Sequence, residues 1–235
     1  MIVAVACVPQ APLLLPEVTG GRVPEVERLR TAARDAVRAV LDAGVDELVV
    51  LGGAPATRTY PADAPSPAGR LAPTPGRRPE ADALPVSLAV GRALLDRCPV
   101  PWLLEGVGRD EPAQAAAALG EKIAARPART GLIVAADGSA RRGEKAPGYV
   151  DPRAPEADAL IGDALARADT AALLALDAAL CAELMIEGRA AWQAMAAACR
   201  DTAWTVHTRY ADDPFGVAYR VATWLAADYP RAAAS

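Results

Sequence analysis

Short apolar runs alternate with segments of helical periodicity, and this alternation constrains the fold more than any other feature. The apolar runs are rich in Val, Ile and Leu, as in buried parallel strands, and cover residues 2–7, 47–51, 100–104 and 130–136. The helical segments cover residues 24–44, 84–97 and 111–126. This order predicts an α/β fold, with a central, mostly parallel or mixed, twisted sheet flanked by helices.

The last third of the chain follows a different pattern. Residues 155–200 are helical in character, with pauses near Ala168-Asp169 and Gly188, and residues 204–208 and 216–222 are predicted strands near a sheet edge. Asp213-Pro214 marks the turn between them. An open edge would allow homo-oligomerisation by strand pairing. At 235 residues, the chain is expected to form one domain, residues 1–235.

Residues 52–82 form the longest irregular segment, in which frequent Pro and Gly argue against regular structure. Two interpretations stay open, because loops of this length are usually functional or flexible. Arg70, Arg77 and Arg78 in this segment could converge with three basic residues of a later loop, namely Arg141, Arg142 and Lys145. Such a cluster would bind a small anionic ligand, and the alternative is that these charges keep both loops solvated.

Composition excludes several classes of protein. A net charge of −4 and 4% aromatic residues argue against a nucleic-acid binder, so no nucleic-acid partner is expected. Uninterrupted apolar runs stay well below the roughly 20 residues that span a bilayer, and the N-terminus lacks a basic signal-peptide region. The four cysteines form no C-x-x-C pair, as expected of buried reduced thiols. We therefore expect a cytoplasmic protein with no membrane association.

The sequence contains parts of three functional motifs. Gly106-Val107-Gly108 lacks the third glycine of a dinucleotide fingerprint, because Glu111 stands there, and is interpreted as a turn. Ser139 could pair with His207 and either Asp151 or Asp213 as a catalytic triad, although a triad is defined by geometry. His207 is the one histidine of the chain, so a metal site of two histidines and a carboxylate cannot be built within it.

Several segments resemble the class III extradiol ring-cleavage dioxygenases, the superfamily of the protocatechuate 4,5-dioxygenase catalytic β subunit and the Memo-like proteins. The segments are VACVPQAPLLLPEV, LVVLGGAPATRTYP and ADGSARRGEKAPGYVDPRAPEAD, and the closing ELMIEGRAAWQAM and DDPFGVAYRVATW resemble actinobacterial members. The resemblance covers most of the chain and implies the same α/β fold, with an iron-containing cleft.

The departures from this family affect its metal site. Where the resemblance implies two iron-binding histidines, the chain has Gln10 and residues 54–57, and Ala140 stands at the position of the catalytic-base histidine. Ser139 and the carboxylate position, Glu156, match. Because amide and methyl groups do not replace imidazole as an iron donor or proton shuttle, no iron cofactor and no metal-binding residues are expected.

We therefore expect a divergent dioxygenase-like protein that keeps the cleft and binds a small polar or anionic molecule. The expected ligand-binding residues are Gln10, Ser139, Arg141, Tyr149 and Glu156. One alternative is an enzyme of non-iron, hydrolase-like chemistry that uses Glu156 as a general base or Ser139 as a nucleophile. Another is an active metal-dependent ring-cleavage dioxygenase whose missing ligands come from elsewhere.

Overall fold

The computed structural model describes residues 1–19, 23–71 and 82–227. Its strands are β1 (Ile2–Val8), β2 (Glu47–Ala54), β3 (Arg58–Tyr60), β4 (Trp102–Gly108), β5 (Thr130–Ala135), β6 (Trp204–Asp212) and β7 (Tyr219–Ala226). Its helices are α1 (Pro24–Asp42), α2 (Ala68–Leu71), α3 (Val86–Ala93), α4 (Ala113–Ala124), α5 (Ala154–Arg167), α6 (Thr170–Leu174), α7 (Ala178–Glu183) and α8 (Arg189–Cys199), and a 3-10 turn covers Pro12–Leu14.

The strands form one seven-stranded sheet in the order β3-β4-β2-β5-β1-β7-β6. The four central strands, β4, β2, β5 and β1, are parallel, and β3, β7 and β6 pair antiparallel at the two sides. One core packs α1 and α3 against one face of the sheet, and a second core packs α4, α5 and α8 against the other. The predicted α/β fold with a mixed central sheet flanked by helices is confirmed.

Two differences from the sequence-based prediction lie at the same side of the sheet. The expected turn at Gly106-Val107-Gly108 is the end of β4, and the expected irregular segment contains β3, which pairs with it. A side chain at Gly106 would bring its Cβ to 2.5 Å from Cε2 of Tyr60 and 2.7 Å from Cβ of Ala54. Glycine therefore allows the neighbouring strands to pack closely here and does not mark a turn.

The last third of the chain departs from prediction mainly in the lengths of its elements. The predicted pauses near Ala168-Asp169 and Gly188 coincide with the breaks between α5 and α6 and between α7 and α8. The break between α6 and α7 was not predicted, and both final strands are longer than expected. The predicted edge position is correct, because β6 is the outermost strand. A bulge between Thr208 and Tyr210 changes the strand register, so Val206 packs against one core and Tyr210 against the other. Among the described residues, no helix has the length and apolarity needed to cross a membrane.

Candidate ligand-binding cleft

A cleft of about 300 Å³ lies beyond the carboxyl ends of the four parallel strands. Each strand contributes a residue at or just after its end: Gln10 follows β1, Gly53 lies in β2, Arg109 follows β4 and Asp137 follows β5. The chain passes from β1 and β2 to helices on one face, and from β4 and β5 to helices on the other. Loops that diverge in this way open a crevice, which is where open α/β sheets bind ligands.

Asp137 is the most strongly perturbed acidic residue of the cleft. Its side chain is buried, and its Oδ1 accepts a hydrogen bond of 3.1 Å from the backbone N–H of Gln10. Burial raises the pKa of Asp137 to about 8, with a smaller contribution from the negative charge of Glu187, while the Gln10 hydrogen bond acts in the opposite direction. Near neutral pH this carboxyl group is therefore largely protonated and can donate a hydrogen bond.

Glu187, in the loop between α7 and α8, connects two other cleft residues. Its Oε2 lies 3.4 Å from Nε2 of Gln10 and 3.7 Å from Nε of Arg109. The Arg109 and Glu187 side chains are 45% and 50% exposed, so this ion pair is solvent-screened and contributes little to stability. The side chains of this pair are therefore only weakly held in this arrangement.

Two glycines bring the backbone close to these side chains. A Cβ at Gly53 would lie 3.2 Å from the backbone oxygen of Glu187, and a Cβ at Gly188 would lie 2.7 Å from the backbone oxygen of Asp137. The backbone N–H of Gly188 donates to that same Asp137 oxygen at 3.2 Å. The loop that carries Glu187 is thus held directly against the end of β5.

Tyr219, at the start of β7, supplies a further polar group to the cleft. Its side chain is buried, and burial raises the pKa of Tyr219, with a further contribution from Asp137. The phenol is therefore neutral across the physiological range. Apolar side chains complete the lining, among them Pro12, Val86, Pro147, Met185 and Val217. Besides the Arg109–Glu187 ion pair, the cleft offers neutral hydrogen-bonding groups within a largely apolar wall.

The structure brings Gln10 into the cleft and leaves Ser139 and Glu156 outside its lining. Ser139 is fully buried, and its Oγ donates a 2.5 Å hydrogen bond to Oδ2 of Asp158, whose Oδ1 accepts the Ser139 backbone N–H at 2.8 Å. Glu156 lies on the exposed side of the first turn of α5. Ser139 and Glu156 therefore do not share this cleft with Gln10, because Ser139 is bonded to Asp158 and α5 directs Glu156 outward. A ligand-binding role for these two residues stays a prediction.

Arg141 and Tyr149 also lie outside the cleft lining, which takes Ala140 and Pro147 from the same loop. Tyr149 is 91% exposed, and the buried Nε of Arg141 has no hydrogen-bond partner among the described residues. The expected basic cluster is not assembled in the described part of the chain, since Arg142 instead pairs with Asp213 at 2.6 Å. Arg77, Arg78 and the side chain of Arg70 lie outside what the structure describes.

The catalytic triad of Ser139, His207 and Asp151 or Asp213 is not formed. His207 is on edge strand β6 and borders a separate surface concavity together with α1 residues, including Glu27 and Arg28. The Ser139 hydroxyl is hydrogen-bonded to Asp158, and Asp151 and Asp213 are each hydrogen-bonded to an arginine. The three functional groups of a triad must be in mutual contact, and here they are dispersed.

The cleft residues do not fit the iron site that the dioxygenase resemblance implies. Its candidate donors are the Gln10 amide, a largely protonated Asp137 and an ion-paired Glu187, with no imidazole among them. In the described ranges, no group of three or more His, Cys, Asp or Glu residues is arranged to hold a metal ion. These residues therefore do not supply the donor set of that iron site.

Sequence reasoning missed Asp137, Arg109 and Glu187. The sequence did contain a signal for Asp137 and Arg109, because a charged residue directly after a strand often belongs to a functional loop. Asp137 follows a predicted strand, and Arg109 follows β4, which is longer than predicted. Glu187 had none, since it reaches the cleft only through the packing of the loop between α7 and α8.

Fold and cleft together define an α/β protein with an open cleft at the carboxyl edge of its sheet. No family model and no curated protein matches the chain. Among solved structures, it is similar to an uncharacterized protein, JW3007, from Escherichia coli K12, with a TM-score of 0.57 and 15% sequence identity. The match covers 95% of this chain and 99% of that one, and at this identity it shows a shared fold.

Proposed function

We propose that this protein binds a small polar molecule in the cleft, and that it is a divergent relative of the class III extradiol dioxygenases that does not use their iron site. The observation that carries the proposal is the buried, largely protonated Asp137 at the end of β5, facing the same cleft as Gln10 and Tyr219. These groups suit an uncharged hydroxyl, carbonyl or amide of a ligand with an apolar body.

Position and size support this proposal. The cleft occupies the crevice where open α/β sheets bind ligands, and its volume of about 300 Å³ lies at the lower end of small-molecule sites. Buried polar groups that face a cleft are costly unless a ligand or water satisfies them, which favours a binding role over a purely structural one.

Ligand-observed NMR with a library of small alcohols, ketones and amides tests the proposal. We expect compounds that bind the parent protein to bind Asp137→Ala and Gln10→Ala at least tenfold more weakly. Asp163→Ala is the matched control, because Asp163 is a 65% exposed surface residue on α5 that is not part of the cleft lining. Binding that is equally strong in all variants would refute the assignment of the site.

A second candidate function is proton-transfer catalysis with Asp137 as acid and base. One observation favours it: a carboxyl pKa of about 8 is close to the operating pH, which is where acid–base catalysts work best. Exchange of deuterium into the carbon next to the carbonyl of small ketones would reveal it. Exchange that is absent, or that persists in Asp137→Asn, would exclude this function. The earlier candidates Glu156 and Ser139 lack access to the cleft.

A cytoplasmic location is also part of the proposal. All four cysteines are free in the structure, and Cys7, Cys181 and Cys199 are buried, as is usual for proteins of a reducing compartment. Homo-oligomerisation through edge strand β6 is proposed as well, since its outer side has no partner strand in the described sheet. Cell fractionation and light scattering test these two points.

A further inference from the structure

A second cavity, of about 530 Å³, adjoins the cleft. The two share three lining residues, Arg109, Met185 and Glu187. The loose ion pair between Arg109 and Glu187 therefore stands at the boundary between them. We call the second space the Arg189 cavity, after the residue at the start of α8 that lines it.

Arg189 is a buried cation without an anionic partner. Arg189 as a whole residue is only 4% exposed. Its guanidinium donates to neutral acceptors: NH1 to Oε1 of Gln193 at 2.8 Å, and NH2 to the backbone oxygens of Arg109 at 2.6 Å and Glu111 at 2.9 Å. Among the described residues, the recorded partners of this guanidinium are all neutral, and no carboxylate lies within ion-pair distance of Arg189.

A buried charge of this kind is costly unless a counter-charge compensates it. The other charged residues of the cavity do not supply one. Glu187 is engaged with Arg109, and Asp110 is exposed, where solvent screens its charge. The cavity thus combines ligand-sized space with an uncompensated guanidinium, which is the group best suited to carboxylates.

We infer that the Arg189 cavity binds the carboxylate of a small organic acid whose other, uncharged polar end lies in the cleft beside Asp137 and Gln10. Met185, which lines both spaces, contacts the apolar middle of this acid. A monoanionic carboxylate fits better than a phosphate dianion, because Asp110 and Glu187 add negative charge to the walls. The inference rests on the proposed ligand-binding function of the cleft and names its ligand class.

Isothermal titration with three matched probes tests this inference on the full chain. The probes are 4-hydroxycyclohexanecarboxylate, its primary carboxamide, and cyclohexanol, which can occupy the cleft alone. We expect the acid to bind at least tenfold more tightly than the amide. This preference should fall to about one in Arg189→Gln, weaken in Arg109→Gln and increase in Glu187→Gln, where a wall charge is removed. Arg167→Gln, a 66% exposed arginine on α5, is the matched control and should retain the preference.

The outcomes separate this inference from the proposed function. If the amide and cyclohexanol bind but the acid has no advantage, the carboxylate site is refuted and the cleft stands. If none of the three binds, both ideas fail for this ligand class. Should Arg189→Gln not fold, Arg109→Gln and Glu187→Gln still decide the matter, because both residues are about half exposed. An acid preference that neither of these variants changes would overturn the inference.

Discussion

The backbone N–H of Gln10 donates a 3.1 Å hydrogen bond to Oδ1 of Asp137, joining the ends of two neighbouring parallel strands, β1 and β5. This bond fixes the Asp137 carboxyl group at the base of the cleft. A single hydrogen bond does not offset the cost of burying a carboxylate, and the group retains its proton to a pH well above the usual range. The stability of the fold and the chemistry of the cleft are therefore linked through one proton.

Asp137 should make folding stability fall as pH rises. The pKa of Asp137 is raised from 3.8 to about 8 on folding, so between these values the folded state holds a proton that the unfolded state has released. The contribution is fully present below about pH 4 and is lost by about pH 8, with a limiting slope of about 1.4 kcal/mol per pH unit. Urea unfolding of the parent and Asp137→Asn at several pH values between 5 and 8 measures it.

In Asp137→Asn this slope should be absent, because asparagine stays neutral while its side-chain oxygen can still accept the Gln10 N–H. The difference between the two proteins is the informative quantity, since other groups titrate equally in both. A difference in unfolding free energy that is independent of pH would contradict the assignment of a raised pKa to Asp137.

Ser139 and Glu156 should not behave as catalytic residues when mutated. Mutation of Ser139 should lower the stability of the fold, and mutation of Glu156 should change neither stability nor binding. Ser139→Ala removes a buried hydrogen bond to Asp158 and leaves a buried carboxyl oxygen without that donor, which should cost about 1–3 kcal/mol of stability. Glu156→Gln changes an exposed residue and should stay within about 0.5 kcal/mol of the parent. Chemical denaturation measures both, and ligand affinity should be unchanged in Glu156→Gln. A loss of binding in that variant would return Glu156 to the site.

Addition of iron should not produce ring-cleavage activity. The cleft carries no imidazole, and a carboxyl group that is protonated near neutral pH is a poor metal ligand. After anaerobic loading with Fe(II), we expect catechol-dependent oxygen uptake to equal that of an Asp137→Asn sample treated in the same way. Stoichiometric iron with uptake that depends on Asp137 would contradict the proposed loss of the iron site.

The central sheet was predictable because its strands are continuous apolar runs separated by helical periodicity. The ends of β2 and β4 were not, because glycines at 52, 53, 106 and 108 normally interrupt strands. Here neighbouring side chains leave no room for a Cβ: at Gly52 it would lie 2.6 Å from Cβ of Ser87. Tertiary packing therefore overrides the low preference of glycine for strands, and this packing cannot be read from a single sequence.

The candidate site was predictable in place but only partly in residues. Gln10 was identified, because it follows the first strand, and the stretch after β5 was correctly recognised as bordering the cleft. Its inward-facing residues were misassigned, since Asp137 lines the cleft while Ser139 turns away to Asp158. Which side chain of a loop faces inward depends on hydrogen bonds to distant elements, and spacing alone does not encode them.

Gly120→Ala should destabilise the protein strongly, because α4 and α8 pack together at this position. A Cβ at Gly120 would lie 2.0 Å from the backbone oxygen of Ala194, and a backbone atom cannot move aside without shifting its helix. Overpacking typically costs about 1–3 kcal/mol, and this close approach to backbone should bring the loss to the upper end, more than offsetting the gain of about 1 kcal/mol from replacing a helical glycine.

Gly162→Ala in α5 is the matched helical control. Its Cβ would meet only the flexible Arg220 side chain, with Nε at 3.1 Å, so thermal unfolding should show unchanged or slightly higher stability. Equal behaviour of the two variants would contradict the close packing of α4 on α8.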